Sequence, residues 1–124
     1  MLILRMRIRT VTIFFSAFQD NKEMLGFLCY GETPLTEGVY DLYWVAVDPG
    51  IHGKGVGKEL LNCLESLLTS KGARVLLVET SSRSIYEKAR IFYEHNGFTE
   101  EARVHDFYSV GDDKIIYRKL LRKY

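Results

Sequence analysis

The chain has 124 residues, of which 47% are hydrophobic, so it can form one domain, residues 1–124, with its own core and no stabilising disulfide or metal. Lysine and arginine number 17 against 16 aspartate and glutamate, and a formal net charge of +1 is too small to draw the protein to nucleic acid or to a membrane surface. Small neutral or moderately charged molecules are the partners that this composition favours.

Neither the start of the chain nor its cysteines suggest export. Arg5, Arg7 and Arg9 interrupt the first nine residues, so these residues lack the apolar segment of a signal peptide. No apolar run approaches the ~18 residues of a membrane span. Cys29 and Cys63 are isolated and have no metal-ligand spacing, which is typical of a reducing compartment. We therefore expect a cytoplasmic protein without a metal, a membrane partner or a nucleic-acid partner.

The first part of the chain predicts three strands. Two runs rich in valine, isoleucine and phenylalanine, Thr10–Gln19 and Met24–Tyr30, flank a polar turn and predict an antiparallel hairpin. A polar connection then leads to a third strand, Val39–Val47. Its aromatic and β-branched residues predict a central strand buried on both faces. The residues expected in the sheet core are Tyr40, Leu42, Trp44 and Ala46.

A glycine-rich stretch follows this third strand and leads into a helix. Glycines at 53, 55 and 57 remove Cβ atoms where the backbone can approach a ligand, and a helix start offers unpaired N–H groups. The glycine spacing fits neither a dinucleotide fingerprint nor a Walker loop. Two interpretations stay open: a backbone nest for phosphate or pyrophosphate, and a tight strand-to-helix turn.

The next segments predict a βαβ unit. Apolar residues recur at helical spacing from Val56 to Leu68, and Lys71-Gly72 marks the end of this helix. Cys63 lies on its apolar stripe and is expected to pack in the core. The compact apolar run Arg74–Glu79 predicts a strand parallel to Val39–Val47. In such units the crossover is right-handed and ligands bind at the carboxyl ends of the strands.

The last part predicts a second helix and a closing hairpin. Ser84 and Glu87 have the spacing of a capping box, and Gly97 ends the helix. On this helix Tyr86 and Tyr93 share one face, where they serve either a ligand or packing. Phe98–Ser109 and Lys114–Leu120 then form the hairpin. The predicted fold class is α+β: a mixed sheet with antiparallel N-terminal strands, parallel central strands, a second helix and a C-terminal hairpin.

Two motifs at this spacing make the chain similar to the GCN5-related N-acetyltransferase (GNAT) family. Val45-Ala-Val47 followed by His52-Gly-Lys-Gly55-Val-Gly57 resembles its core motif, Val-x-Val and then Gln/Arg-x-x-Gly-x-Gly/Ala. Its second motif, Ala-x-x-x-Tyr-x-x-x-Gly-Phe, is matched by residues 89–98. The resemblance covers roughly residues 10–120.

The resemblance implies acetyl-coenzyme A as donor and a primary amine of a small molecule or peptide as acceptor. Backbone groups of Val45 and Val47 would hold the pantetheine arm and the thioester carbonyl, and the amides of residues 53–57 would hold the pyrophosphate. Lys54 and Lys58 add phosphate contacts or are simply solvated lysines. The implied cofactor-binding residues are Val45, Ala46, Val47, His52, Gly53, Lys54, Gly55, Val56, Gly57, Lys58 and Tyr86.

The resemblance also implies roles in proton transfer. Tyr93 matches the family's general acid, which protonates the departing sulfur. The amine, with a solution pKa near ~10.4, must lose a proton before it attacks. Glu79 and Asp41 are the carboxylates placed to take it, directly or through water.

Three departures from the family pattern are visible. His52 replaces the usual Gln or Arg, and Tyr86 stands where an asparagine often contacts the cofactor arm. The family's first strand and two helices are expected to be missing, because about ten residues precede the first predicted strand. An open sheet edge and an incomplete acceptor cleft then suggest a homodimer. The alternative function is a non-catalytic acyl-CoA-binding or regulatory module of the same fold.

Overall fold

The computed structural model of the protein describes residues 3–9, 12–18, 23–51 and 55–122. These residues form a two-layer arrangement in which two helices pack on one face of a mixed sheet. The strands are β1 (Ile3–Arg9), β2 (Thr12–Phe18), β3 (Met24–Glu32), β4 (Val39–Val47), β5 (Val75–Ser81), β6 (Thr99–Ser109) and β7 (Asp112–Leu120). The helices are α1 (Val56–Ser70) and α2 (Glu87–His95), with 3₁₀ turns at Pro49–Ile51 and Ser84–Tyr86.

The seven strands follow the order β1-β2-β3-β4-β5-β7-β6. All neighbours are antiparallel except β4 and β5, which α1 connects as a parallel pair. The predicted α+β class, the βαβ unit and the C-terminal hairpin are therefore confirmed. The hairpin inserts β7 next to β5 and leaves β6 at the edge of the sheet.

A strand also forms where the sequence analysis expected none. β1 pairs with β2 along its whole length, from Ile3 opposite Phe18 to Arg9 opposite Thr12. Arginine alternates with apolar residues through this stretch, and that period of two is the pattern of a strand. In the described part of the chain, no helix precedes the 3₁₀ turn at Pro49.

The core lies between the sheet and the two helices. Alternate residues of the central strands, such as Leu28, Leu42 and Val78, are buried against α1. The apolar stripe predicted for α1 supplies the other side of this layer, with Leu60, Leu61, Leu64 and Leu68 fully buried. Cys63 is only half-buried, so the expectation that it packs in the core is not met. Cys29 is fully buried but lies outside this cluster, and both thiols are unpaired.

The prediction that β4 is buried on both faces is wrong. Leu42 is 1% exposed, but Trp44 is 53% and Tyr43 38% exposed. The register with β3 shifts here, because Tyr30 faces Leu42 and Cys29 faces Trp44, which leaves Tyr43 as an extra residue. Such a bulge bends its strand and interrupts pairing.

The capping box predicted at Ser84 does not form. Residues 84–86 make the 3₁₀ turn, α2 begins at Glu87, and neither start carries a side-chain cap. Instead the Arg90 guanidinium holds the preceding loop, because its Nη1 donates to the carbonyl oxygens of Ser81 at 2.7 Å and Arg83 at 2.8 Å. The guanidinium thus fixes this loop through its carbonyl oxygens, and the N–H groups at the helix start have no side-chain cap.

Candidate functional site

The two parallel strands separate at their carboxyl ends. β4 and β5 pair only from Val39 opposite Val75 to Leu42 opposite Val78. From Tyr43 to Ala46, β4 has no strand partner on the β5 side within the described residues. We call this gap the β4–β5 opening. An extended ligand chain can pair with backbone groups at such an opening as an added strand does.

A groove of about 620 Å³ lies at this opening, between β4, the start of α1 and α2. We call it the donor groove. Its volume is in the range of small-molecule and cofactor sites. Val45, Val47 and Phe92 give it an apolar side, and the start of α1 gives it a polar end. The residues that line it are Val45, Val47, Gly55, Val56, Gly57, Lys58, Lys88, Ala89, Phe92, Tyr93, His95 and Asn96.

Gly55 and Gly57, at the start of α1, favour glycine for two different physical reasons. Gly55 has a φ of +78°, a left-handed conformation that disfavours residues with a Cβ, and it precedes α1 without a side-chain cap. A Cβ on Gly57 would lie 3.3 Å from the Phe92 ring. Residues 55–58 line the groove, so the first turn of α1, with its unpaired backbone N–H groups, lies where an anion site requires it. His52, Gly53 and Lys54 lie outside the described residues.

Tyr93 packs in the core and also lines the donor groove. Its ring is 6% exposed, with centroids 5.6 Å from Phe98 and 6.3 Å from Tyr117, and the residue lines the donor groove. Burial raises the pKa of Tyr93 to about 12. The phenol therefore keeps its proton at physiological pH, as a general acid must.

The two predicted carboxylates lie on the far face of the sheet, opposite α1 and α2. Leu42 and Val78 point into the helical layer, so their neighbours Asp41 and Glu79 point the other way. The pKa of Asp41 is raised, with burial as the largest cause; the Thr33 side chain opposes this shift, the nearby Glu79 carboxylate adds to it, and Lys114 opposes it. The Lys114 Nζ lies 3.2 Å from Glu79 Oε1. The structure thus brings Asp41 and Glu79 together beside the β4–β5 opening.

Tyr86 and Ala46, both predicted to bind the cofactor, do not line the donor groove. Ala46 pairs with Phe27 of the neighbouring strand β3. Tyr86 is half-exposed. Burial is the largest cause that raises the pKa of Tyr108; among its neighbours Glu79 raises this pKa most, and Tyr86 raises it slightly. Tyr86 therefore lies within electrostatic range of Tyr108 and outside the donor groove.

Sequence reasoning missed Lys114 and Tyr108. Lys114 faces Ser81 in the register between β5 and β7, and this register places it next to Glu79. No local pattern reveals that pairing, because β6 and the whole of α2 separate the two strands in the chain. The β5–β7 order would have been the signal, and it follows only from the complete topology.

The described residues contain neither a cluster of metal-ligating side chains nor a membrane-spanning helix. In ranges 3–9, 12–18, 23–51 and 55–122, no three His, Cys, Asp or Glu side chains are grouped as a metal site would need. None of the helices in those ranges has the length and apolar character needed to cross a membrane.

Comparisons with known proteins show what the chain is similar to. A family model described as an acetyltransferase (GNAT) domain matches residues 11–100. A solved structure of a GNAT-family protein from Desulfovibrio desulfuricans has 45% sequence identity and a TM-score of 0.87, covering 90% of this chain and 71% of that one.

Two further matches are more distant. A mycothiol acetyltransferase from Beutenbergia cavernae is 37% identical over 70 residues, which is 56% of this chain but only 23% of that protein. A streptothricin acetyltransferase from Bacillus anthracis, solved in complex with acetyl coenzyme A, has a TM-score of 0.78 and 18% identity. That match covers 90% of this chain and 64% of that one, and at this identity it shows the fold alone.

Proposed function

The chain belongs to the GCN5-related N-acetyltransferase family, and from this premise we propose that it transfers the acetyl group of acetyl-CoA directly to a primary amine of a small molecule or peptide. One observation carries the proposal. The β4–β5 opening separates a groove that ends at a helix start, on one face, from two carboxylates on the other. Donor and acceptor can therefore approach the same gap from opposite sides.

The residues of the donor groove fit acetyl-CoA. Backbone groups of Tyr43 to Ala46 face the β4–β5 opening and can pair with the amides of an extended pantetheine arm. Val45, Val47 and Phe92 offer it an apolar wall. The uncapped first turn of α1 and the Lys58 ammonium supply donors for the pyrophosphate. A neighbour of the same fold is bound to acetyl coenzyme A.

Positioning supplies most of the acceleration. Holding amine and thioester at one gap turns a bimolecular step into an effectively unimolecular one. The amine nitrogen forms a bond to the acetyl carbon, the carbon–sulfur bond breaks, and no acyl-enzyme forms. A backbone N–H of β4 at the opening stabilises the charge that develops on the carbonyl oxygen.

Two proton transfers complete the reaction. Tyr93 gives its proton to the leaving sulfur, since its phenol lines the groove and stays protonated. Asp41 or Glu79 takes the proton that the amine releases. Asp41 is favoured, because burial raises its pKa and makes it the better base, whereas Glu79 is held in an ion pair by Lys114.

The quaternary state proposed is a homodimer in a reducing cytoplasm. Every side chain of edge strand β6 is exposed, and Trp44 is exposed on the far face. A second copy would cover such an edge. The two unpaired cysteines suit a reducing compartment. A monomeric mass by light scattering at assay concentration would contradict the dimer.

Two measurements test the proposed function together. Acetyl-CoA should raise the melting temperature, because a ligand that binds only the folded state stabilises it. Free thiol should then appear when amino acids, polyamines, arylalkylamines, aminoglycosides or peptide N-termini are added. A thermal shift without thiol release from any amine would favour the non-catalytic module. Absence of a thermal shift would contradict the donor groove itself.

A further inference from the structure

The irregular part of β6 lies near Glu79, one of the two far-face carboxylates. The pairing of β6 with β7 is interrupted between Val104 and Ser109, so the intervening residues leave the regular strand path. The Lys114 Nζ lies 4.6 Å from the centre of the Phe107 ring and 3.2 Å from Glu79 Oε1. The Phe107 and Tyr108 rings pack edge to face with centroids 5.0 Å apart. We call residues 105–109 the acceptor wall.

Asp113 holds this wall in place. Its Oδ2 accepts hydrogen bonds from Arg103 Nη1 at 3.0 Å and lies 3.1 Å from His105 Nδ1, while its Oδ1 accepts the Asp106 N–H at 2.9 Å. Asp106 has a φ of +54°, and its own carboxylate accepts the Gly111 N–H at 2.7 Å. A left-handed residue that is not glycine persists only where its surroundings fix it. The acceptor wall is therefore an ordered segment held by hydrogen bonds, not a frayed loop.

A second set of bonds ties the wall to the end of β5. The Asp113 N–H donates to Ser82 Oγ at 2.8 Å, and the Ser82 N–H donates to the Asp113 carbonyl at 3.0 Å. Asp112 is buried and accepts the Ser81 hydroxyl, so its carboxylate is not available to a ligand. These contacts fix the position of the wall relative to Glu79.

The surface beside the acceptor wall is rich in aromatic side chains. Phe107, Tyr108 and Tyr86 are all half-exposed, and Glu79 and Tyr86 both act on the pKa of Tyr108, which burial raises most. Lys114 pairs with Glu79 and also acts on Asp41, so the two carboxylates and the lysine leave a single net negative charge. One ammonium group balances that charge, whereas a polycation would leave several charges without partners.

Building on the proposed function, we propose that the acceptor wall selects a primary monoamine carried on an aromatic or other apolar body. The ammonium end lies at Asp41 and Glu79, and the apolar body packs against Phe107, Tyr108 and Tyr86. Tyr108 is then a specificity-determining residue, and Asp113 is a positioning residue that acts through the wall.

The test compares acceptors that share an amine but differ in the body. Wild-type protein with acetyl-CoA should acetylate 2-phenylethylamine with a kcat/KM about tenfold or more above that of propylamine, since an apolar pocket discriminates by roughly that factor. Spermidine and an aminoglycoside should be poorer still. A kcat/KM that is equal for all amines, or highest for spermidine, would overturn the specificity while leaving the acetyl transfer standing.

Variants separate a specific role from general damage. Tyr108→Ala should raise KM for 2-phenylethylamine about tenfold, so that the ratio of kcat/KM for 2-phenylethylamine to that for propylamine falls, while the acetyl-CoA Kd stays the same. Tyr108→Phe should keep the wild-type preference for 2-phenylethylamine, because the acceptor contacts the ring and not the hydroxyl. Leu35→Ala, at another exposed apolar side chain in the loop before β4, is the matched control and should change nothing.

Asp113→Asn tests the positioning role. It should raise KM for 2-phenylethylamine severalfold with kcat and acetyl-CoA binding preserved. A Tyr108→Ala or Asp113→Asn variant that lowers kcat/KM equally for every amine would overturn the inference. Thiol release from no amine at all would instead overturn the proposed function on which it rests.

Discussion

The donor groove and the acceptor wall are built in different ways. The groove uses backbone: a strand without a partner at the β4–β5 opening, a left-handed Gly55 and an uncapped helix start. The wall uses side chains on an irregular strand, held by the carboxylate of Asp113. Backbone recognition tolerates many sequences, whereas a side-chain network depends on each member. We therefore expect the donor site to be common to the family and the acceptor site to be particular to this chain.

The largest effect should come from Tyr93, the residue proposed to protonate the donor's leaving group. Tyr93→Phe removes one hydroxyl and keeps the ring that packs against Phe98 and Tyr117. Loss of a general acid should lower kcat on the order of 10²-fold. Acetyl-CoA binding, measured by calorimetry, should stay the same. An unchanged kcat would remove Tyr93 from the acid role.

Tyr93→Phe should also change how the stability of the fold depends on pH above 10. The unfolded tyrosine ionises near its ordinary pKa of 10, whereas the pKa of folded Tyr93 is raised to about 12. Its contribution to stability is therefore fully present below pH 10 and is lost as the pH rises through 12. Tyr93→Phe should reduce this alkaline loss in thermal melts, while other tyrosines with raised pKa values retain theirs.

A smaller loss of activity, with a gain of stability, should follow from Asp41→Asn. Burial raises the pKa of Asp41, so the charged carboxylate destabilises the fold at neutral pH. The variant should lose about tenfold or more in kcat/KM, as expected for a general base, and should melt at a higher temperature at pH 7. The stability difference should vanish below the ordinary pKa of 3.8, where Asp41 is protonated in both states.

Glu79→Gln is the matched carboxylate change. It breaks the ion pair with Lys114 and should not raise the melting temperature. If Glu79→Gln abolishes the acid limb of the pH–rate profile and Asp41→Asn does not, the general base is Glu79 and not Asp41.

The smallest effect should be on the donor side. Gly55→Ala forces a Cβ into a left-handed conformation, which costs about 1 kcal/mol, with no atom within 4 Å to clash. Gly72→Ala has a similar φ of +82° at the other end of α1 and should lower the melting temperature equally. Only Gly55→Ala should also weaken acetyl-CoA binding. Equal affinities in the two variants would contradict the role of Gly55 in the groove.

The donor half could be predicted from the sequence because its signals are local. The Val45-Ala-Val47 strand, the glycines before α1 and the stripe of α1 lie within one continuous stretch, and a family motif describes them. Tyr93 followed from a second local motif. The Ala46 side chain does not line the groove because alternate residues of a strand face opposite sides, and the predicted role of its backbone stays a prediction.

The acceptor half could not be predicted, because it depends on register and on irregular backbone. Lys114 meets Glu79 only through the pairing of β7 with β5. Composition placed Trp44 in the core, yet composition does not show the bulge at Tyr43 or which face a helix covers. The left-handed Asp106 and its bonds to Asp113 and Gly111 have no local signature either.

The most direct test of the account is the product formed when the full chain is incubated with acetyl-CoA and 2-phenylethylamine. Mass spectrometry and a free-thiol assay should show the N-acetylated amine and coenzyme A thiol in equal amounts, both reduced about 10²-fold in Tyr93→Phe. Acetyl-CoA that binds in the groove while neither this amine nor any other is acetylated would contradict the account.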